Sequence, residues 1–156
     1  MDIEFVKFDR VYLEISYTWL KDPEISKMID APTVTKKGQE DWYGSLPFRK
    51  DYYIWGIKKD GQPIGAVGLK NIDYEKGSGE YFGYIGEKQF WGMGIGTKML
   101  VFIKGKAEEL GLRSLDLKVN PSNLRAIHLY QKFGFKSQEG SVNQHSIELS
   151  YSLTEE

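Results

Sequence analysis

The sequence predicts a mixed α/β fold in which residues 1–156 form a single domain. Three observations indicate this class. Short stretches of alternating apolar residues, typical of strands, are interspersed with stretches of helical period. A length of 156 residues suits one hydrophobic core. Apolar residues make up 40% of the chain and charged residues 28%, which is a globular composition rather than a disordered one.

The first third of the chain is predicted to hold one strand and three helices. Residues 3–8 predict a short strand. Residues 11–29 have helical spacing, and Pro23 indicates that a second helix begins there, because proline suits the first helical turn. Residues 35–45 predict a third helix, with Thr35 as its N-cap.

The middle of the chain predicts three antiparallel strands. Residues 52–58 and 63–71 are rich in residues that favour strands, and Asp60-Gly61 lies between them. An Asp-Gly pair in this setting is a strong signal for a hairpin turn. Residues 79–86 predict the third strand, after a turn that contains Gly77.

The last third of the chain returns to alternating helices and strands. Residues 96–110 have an apolar stripe of helical period and end at Gly111, a residue type that commonly terminates helices. Residues 113–119 alternate as a strand, residues 122–133 predict another helix, and residues 145–153 predict a final strand.

Composition and charge argue against several kinds of partner. The net charge of −1 argues against nucleic acid, because phosphate backbones usually require a basic surface. The chain has no cysteine, and its two histidines, His128 and His145, are too isolated to suggest a metal centre. It lacks a signal peptide and any run of about 18 apolar residues, so we expect no membrane partner and a cytoplasmic protein.

Gly92, Gly94 and Gly96 form the most informative local pattern, because they lie where a helix is predicted to begin. Glycines let backbone N–H groups approach a ligand closely, and a helix N-terminus favours an anion such as a diphosphate. The GxGxG spacing differs from the dinucleotide-binding GxGxxG, and Lys98 follows Thr97, unlike the lysine of a P-loop. Taken alone, the glycines could also serve only to shape a tight turn.

Two motifs resemble the GNAT superfamily of acetyl-CoA-dependent N-acetyltransferases. The cofactor signature of that family, Arg or Gln followed by xxGxG/A, falls on residues 91–96, where Trp91 replaces Arg or Gln. The same replacement is found in branches of the family that resemble ribosomal-protein N-terminal acetyltransferases. Gln89 fits the signature literally but would place the loop too early. The second motif of the family, NxxAxxLYxxxGF, matches Asn123, Ala126, Leu129, Tyr130, Gly134 and Phe135.

The resemblance covers nearly the whole chain and implies a central, mostly antiparallel, twisted sheet of six to seven strands. About four helices would flank this sheet, which would be splayed at the cofactor site. The implied cofactor is acetyl-CoA. The residues implied to bind it are Tyr84, Ile85, Gly86, Trp91, Gly92, Met93, Gly94, Ile95, Gly96, Thr97, Asn120, Asn123, Ala126, Tyr130 and Lys132.

The implied reaction is direct attack of a substrate amine on the thioester in a ternary complex. Backbone N–H groups of residues 84–86 would stabilise the developing oxyanion, and Tyr130 would protonate the departing thiolate. Alternatively, Tyr130 is an aromatic residue of the core. Many members carry a base two residues before the glycine that corresponds to Gly83, but Tyr81 stands there. Glu80 is the candidate base, although the offset directs it to the other face of the strand and favours a structural carboxylate.

The acceptor is predicted to be a small-molecule amine bound between the N-terminal helices and the central strand. Residues 18–29 (TWLKDPEISKMI) resemble the corresponding helix of nucleotide-linked amino-sugar N-acetyltransferases, so a 4-amino-sugar nucleotide is the leading hypothesis. The predicted substrate residues are Trp19, Glu24, Met28, Trp42 and Tyr81. Trp19 and Met28 could instead be core residues of two amphipathic helices.

Two alternatives remain at this point. A peptide N-terminus or a polyamine would keep the enzyme class, and an acidic, open groove would favour these acceptors over a closed aromatic pocket. A non-catalytic module that binds acyl-CoA would retain the glycine turn without transferring an acetyl group. In each case we expect a monomer or a homodimer.

Overall fold

The computed structural model describes residues 2–29, 33–137 and 146–154. Its elements are β1 (Ile3–Lys7), α1 (Arg10–Leu20), α2 (Pro23–Met28), α3 (Lys36–Ser45), β2 (Tyr53–Lys59), β3 (Gln62–Asp73), β4 (Ser78–Ile85), α4 (Ile95–Glu109), β5 (Ser114–Val119), α5 (Leu124–Phe133), β6 (Lys136–Ser137) and β7 (Ile147–Ser152). The predicted elements are confirmed with small shifts of their ends, whereas β6 was not predicted. His145, the predicted start of the last strand, lies outside the described residues.

Side-chain caps explain where the first three helices begin. Asp9, Asp22 and Thr35 precede α1, α2 and α3, and each accepts a hydrogen bond of 2.9–3.3 Å from a backbone N–H two or three residues later. Such a cap typically stabilises a helix by about 1 kcal/mol. Pro23 occupies the first turn of α2, as the sequence predicted.

The hairpin between β2 and β3 also follows from local sequence. Asp60 and Gly61 have φ angles of 49° and 84°. Positive φ at both central residues defines the turn type whose twist matches that of paired strands. The Asp-Gly prediction is therefore confirmed, and the hairpin pairs β2 with β3 in antiparallel register.

The sheet has seven strands in the order β1-β2-β3-β4-β5-β7-β6. Every neighbouring pair is antiparallel except β4 and β5, which are parallel and paired only where Ser78–Glu80 lies beside Ser114–Asp116. Beyond this short ladder the two strands have no further paired residues, which leaves a gap in the sheet next to the last five residues of β4. The predicted splay is thereby confirmed, and it lies in the centre of the sheet.

Helices cover both faces of the sheet. On one face α4 buries Met99, Leu100, Ile103 and Ala107 in a core that includes Tyr81 of β4. On the other face α1, α2 and α3 pack around a second cluster, made of Phe8, Tyr12, Leu13, Trp19, Ile25, Ala66 and Tyr84. The alternation of Tyr81 and Tyr84 between the two cores follows from the two-residue period of a strand. Among the helices that the structure describes, none is long and apolar enough to cross a membrane.

Gly86, at the end of β4, is expected to be intolerant of any side chain. A Cβ atom added there would overlap the ring of Trp19. We expect Gly86→Ala to lower the free energy of unfolding by about 1–3 kcal/mol, as overpacked substitutions do. Gly105→Ala is the control, because nothing lies within 4 Å of its added Cβ in α4. It should stabilise the protein by roughly 0.5–1 kcal/mol in the same urea titration. Equal effects of the two variants would contradict the packing argument.

Candidate active site

A cleft of about 690 Å³ opens at the gap between β4 and β5. The end of β4, the glycine turn and the start of α4 form one side, while α5 and α2 contribute from the others. Many predicted cofactor residues line it: Tyr84, Ile85, Trp91, Gly92, Gly94, Ile95, Gly96, Thr97, Asn120, Asn123, Ala126 and Tyr130. Three of the predicted substrate residues, Glu24, Met28 and Tyr81, line the same cleft.

The glycine turn has the geometry of an anion cradle. Gly92 and Gly94 have φ angles of 76° and 80°, which few other residues adopt readily. Gly94 is followed directly by Ile95, the first residue of α4, and it makes no side-chain cap. The first N–H groups of α4 therefore lack acceptors within the helix and are available to a ligand in the cleft. A diphosphate fits this arrangement.

Arg125 adds a positive charge beside the cradle. Its Nη1 atom lies 3.5 Å from the position that a Cβ would take on Gly92, and its side chain lines the cleft. A guanidinium there can bind phosphate oxygens. The sequence analysis did not identify Arg125, although it lies two residues after Asn123 within the second motif.

Trp91 has a structural role that explains why it stands where the resemblance leads one to expect Arg or Gln. Its Nε1–H donates a 2.8 Å hydrogen bond to the carbonyl oxygen of Ile85. This bond ties the glycine turn to the last residue of β4, where β5 no longer accompanies that strand. The indole therefore orients the strand end, while backbone N–H groups remain the ligands for an anion.

Trp91→Phe is expected to destabilise the protein by about 1–2 kcal/mol, because it removes the indole N–H and leaves the carbonyl oxygen of Ile85 without that hydrogen bond. The phenyl ring retains much of the apolar contact. Urea unfolding of the two proteins measures the difference. Unchanged stability would show that the bond to Ile85 contributes little.

Asn123, Ala126 and Tyr130 lie at the start and along one face of α5, as their spacing predicted. Asn123 is the N-cap, and its Oδ1 accepts a 3.3 Å hydrogen bond from the N–H of Ala126. The Oδ1 atom of Asn123 is therefore used to cap the helix, and its Nδ2 group is left to donate a hydrogen bond to a ligand. The ring of Tyr130 packs edge-on against Tyr81 at 6.1 Å and Phe135 at 5.9 Å. Burial raises the pKa of Tyr130 to about 12, so its phenol remains protonated at neutral pH.

The N–H groups at the end of β4 do not all face the gap. Gly86 N–H donates a 2.7 Å hydrogen bond to the carbonyl oxygen of Ile64, and Tyr84 is in register with Ala66. Because alternate residues of an antiparallel strand bond to the same neighbour, Tyr84 and Gly86 both direct their amides at β3. The amide of Ile85 then points the other way, into the gap. The expectation of donors throughout residues 84–86 is corrected to Ile85, and Gly86 does not line the cleft.

Glu80 lies outside the cleft, on the face of β4 opposite to Tyr81. Its Oε1 accepts a 3.2 Å hydrogen bond from Asn71 Nδ2, and its Oε2 lies 3.5 Å from Lys70 Nζ. These contacts agree with a structural carboxylate. Glu80 does not line the cleft, so the structure does not place it where it could act as the base.

Trp19 and Trp42 also lie outside the cleft. Trp19 is only 4% exposed, and its Nε1–H donates a 2.6 Å hydrogen bond to Glu87 Oε2. Trp42 packs edge-on against Phe8 and Tyr52, with ring centroids 5.5 and 5.9 Å apart. Both tryptophans stabilise the helical layer, so the prediction that they contact the substrate is corrected.

Some other residues also differ from expectation. Met93 and Lys132 are exposed and do not line the cleft. Conversely, the cleft is lined by several side chains that were not predicted to bind cofactor or substrate: Lys27, Phe90, Met99, Ser122, Arg125 and Leu129. Of these, Lys27 and Arg125 are cations, and they give the lining a positive character that the motifs did not predict.

Comparisons with known proteins agree with this geometry. Residues 14–135 match the acetyltransferase (GNAT) family. An uncharacterised protein of Methanocaldococcus jannaschii is 25% identical over 142 residues, which are 88% of this chain and 29% of that protein. The chain therefore spans less than a third of the length of this relative.

Solved structures with the same fold include a domain from Methanocaldococcus jannaschii, which has a TM-score of 0.81 at 20% identity and covers 97% of this chain and 98% of that one. Spermidine N-acetyltransferase of Vibrio cholerae, in complex with CoA and spermine, has a TM-score of 0.86 at 18% identity. That match covers 97% of this chain and 95% of the enzyme. A dodecameric structure of the same enzyme has a TM-score of 0.81 at 19% identity, with coverage of 97% and 94%.

The family match extends over well over half of the chain. It includes the glycine turn, the splayed strands and Tyr130, which the fold brings together around one cleft. The chain therefore belongs to the GNAT acetyltransferase family.

Proposed function

We propose that this domain transfers the acetyl group of acetyl-CoA to the primary amine of a nucleotide-linked amino sugar. The observation that carries the proposal is the charge at the acceptor end of the cleft. Glu24 lines that end, but Lys88 Nζ lies 2.8 Å from its Oε1 and 2.7 Å from Asp22 Oδ2. Lys27 lines the cleft beside them. Among the described lining residues, no carboxylate lacks a cationic partner, which suits a diphosphate-bearing acceptor better than a polycation.

The apolar part of the acceptor end suits a sugar ring. Tyr81, Phe90 and Trp91 line the cleft, and Met28 adds a flexible apolar side chain. Aromatic faces pack well against the C–H surfaces of such ligands, while a few polar groups set their orientation. These three rings therefore take the place of Trp19 and Trp42 in the hypothesis of an aromatic acceptor pocket.

The proposed reaction is direct transfer between the two bound substrates. Acetyl-CoA supplies the acetyl group as a thioester. The acceptor ammonium first loses one proton to solvent, and the neutral nitrogen then forms the new C–N bond as the C–S bond breaks. Tyr130 donates its phenolic proton to the leaving sulfur and regains a proton from the acetylated nitrogen, so that the products are the amide and the free thiol. The N–H of Ile85 stabilises the negative charge that develops on the carbonyl oxygen.

A polyamine is the second candidate acceptor. The supporting observation is the likeness in fold to an enzyme whose substrate is spermidine, with a TM-score of 0.86. Glu24, which lines the cleft, and Asp22, which shares the Lys88 ammonium with it, are the side chains that would bind a second ammonium. Both are paired with Lys88, which is why the amino-sugar nucleotide is favoured.

Release of free coenzyme A thiol, measured against a panel of acceptors, tests the proposal. The panel contains 4-amino-sugar nucleotides, the same amino sugars without the nucleotide, spermidine, spermine and short peptides. We expect the highest kcat/KM with a nucleotide-linked sugar and a lower value for the free sugar. A higher kcat/KM with spermidine than with any nucleotide-linked sugar would contradict the proposal and favour a polyamine as the acceptor. Binding of coenzyme A without thiol release for any amine would favour a non-catalytic acyl-CoA-binding module.

A further inference from the structure

We infer that Lys88 determines acceptor specificity, because its own ammonium fills a cation site that a polyamine would otherwise occupy. The inference rests on the proposed function, since it assumes that the cleft beside Lys88 receives an amine. It extends that function by naming the residue that excludes acceptors with a second positive charge.

Three groups surround the Lys88 ammonium. Asp22 Oδ2 lies 2.7 Å from Nζ, Glu24 Oε1 lies 2.8 Å from it, and the ring centroid of Trp91 lies 5.8 Å away. Carboxylates and an indole face are the groups that bind ammonium ions in proteins. The hydrogen bond between Asp22 and Lys88 lowers the pKa of the carboxyl group and raises the pKa of the amine. The site is thus seen with a primary ammonium already bound.

Two of the three groups are held in place by contacts that do not involve Lys88. Asp22 is the N-cap of α2, and its Oδ1 accepts a 2.9 Å hydrogen bond from the N–H of Glu24. Trp91 is anchored by its 2.8 Å bond to Ile85. Removal of the lysine ammonium therefore leaves a carboxylate and an indole oriented for another cation.

The site opens onto the cleft, because Glu24 and Trp91 both line it. A polyamine bound with one ammonium between Asp22 and Glu24 can extend its other end along the cleft. The amine at that end would lose one proton to solvent and form the C–N bond as the C–S bond breaks. A second proton would pass from its nitrogen to Tyr130 and replace the proton that Tyr130 gives to the thiol. In the native chain the tethered Lys88 ammonium competes at a high effective concentration, which excludes free polyamines.

Lys88→Met tests the inference, because it removes the charge and retains an unbranched chain. Two quantities are measured at low ionic strength: the Kd of spermidine for protein saturated with coenzyme A, by calorimetry, and the KM of spermidine in the thiol assay. We expect both to fall about tenfold relative to the native protein. High salt should abolish the difference, since these carboxylates are partly exposed.

Three variants serve as controls. Lys88→Arg keeps a cation in the site and should leave the Kd of spermidine unchanged. Lys27→Met removes a cation from the cleft lining without freeing a carboxylate, so it should produce a smaller gain. Asp22→Asn combined with Lys88→Met should lose most of the gain. Lys88→Gln replaces Lys88→Met if thermal unfolding shows that the methionine variant is not folded.

The outcomes separate the inference from the proposed function. Folded Lys88→Met or Lys88→Gln protein that binds spermidine no more tightly than the native chain overturns the inference, even if amino-sugar nucleotides are acetylated. Tighter binding of spermidine without thiol release for any amine supports the cation site and rejects the proposed function. An equal gain in Lys27→Met would also overturn the inference, because the effect would then reflect net charge alone.

Discussion

Tyr130→Phe is expected to lower kcat on the order of 10²–10⁴-fold, the range that general acid catalysis commonly supplies. The Kd of coenzyme A should remain unchanged. The phenyl ring keeps the edge-on contacts with Tyr81 and Phe135, so only the hydroxyl group is lost. Thiol release under saturating substrates measures kcat, and calorimetry with coenzyme A measures binding.

The protonation state of Tyr130 supports this role. Burial raises its pKa to about 12, whereas an unperturbed tyrosine has a pKa of about 10. Since the shift is upward, the phenol keeps its proton throughout the neutral and mildly alkaline range and can donate it to the leaving sulfur. Loss of activity between pH 7 and 9 would therefore have to arise from another group, and Tyr130→Phe should leave the shape of the pH profile in that range unchanged.

Tyr151→Phe is the matched control, because it also removes one phenolic hydroxyl. Tyr151 lies on β7 and packs against Phe133 and Phe135, and it does not line the cleft. Its substitution should leave kcat near the native value. A kcat for Tyr130→Phe that equals that of Tyr151→Phe would remove Tyr130 from the mechanism and leave it as an aromatic residue of the core.

The parts of the fold that were predicted correctly depend on short-range signals. Asp60-Gly61 specifies its turn through the φ angles of two adjacent residues. Asp22 and Thr35 cap helices through N–H groups two or three positions away. The glycine turn and the α5 motif are equally local, so most of the residues that they predict to bind the cofactor lie together along one cleft.

The errors concern contacts between distant parts of the chain. Trp19 bonds to Glu87, 68 positions away, and its packing against Gly86 places it in the core rather than in the cleft. Lys88 pairs with two acids of α2 in the same way. No periodicity or motif specifies such pairings, because they depend on how α1 and α2 pack on the sheet. The Lys88 pairs lie beside the cleft, which Glu24 lines, and they could not be derived from spacing alone.

Gly94→Glu is expected to raise the Kd of coenzyme A on the order of 100-fold. Gly94 lines the cleft and immediately precedes α4, and an added Cβ there meets nothing within 4 Å. A glutamate would therefore extend into the space in front of the first N–H groups of α4. Its carboxylate would either occupy the cradle that we assign to a diphosphate or repel the diphosphate from it, because both anions accept hydrogen bonds from the same N–H groups. Calorimetric titration with coenzyme A measures the change.

Gly111→Glu separates this effect from the cost of backbone strain. Gly94 and Gly111 have φ angles of 80° and 77°, and neither has an atom within 4 Å of an added Cβ. Both substitutions should therefore lower the free energy of unfolding by roughly 1–2 kcal/mol, the cost of a left-handed conformation. Gly111 follows the other end of α4 and does not line the cleft, so its variant should bind coenzyme A normally. Similar losses of affinity in both variants would mean that strain, rather than an anion cradle at residues 92–96, accounts for the result.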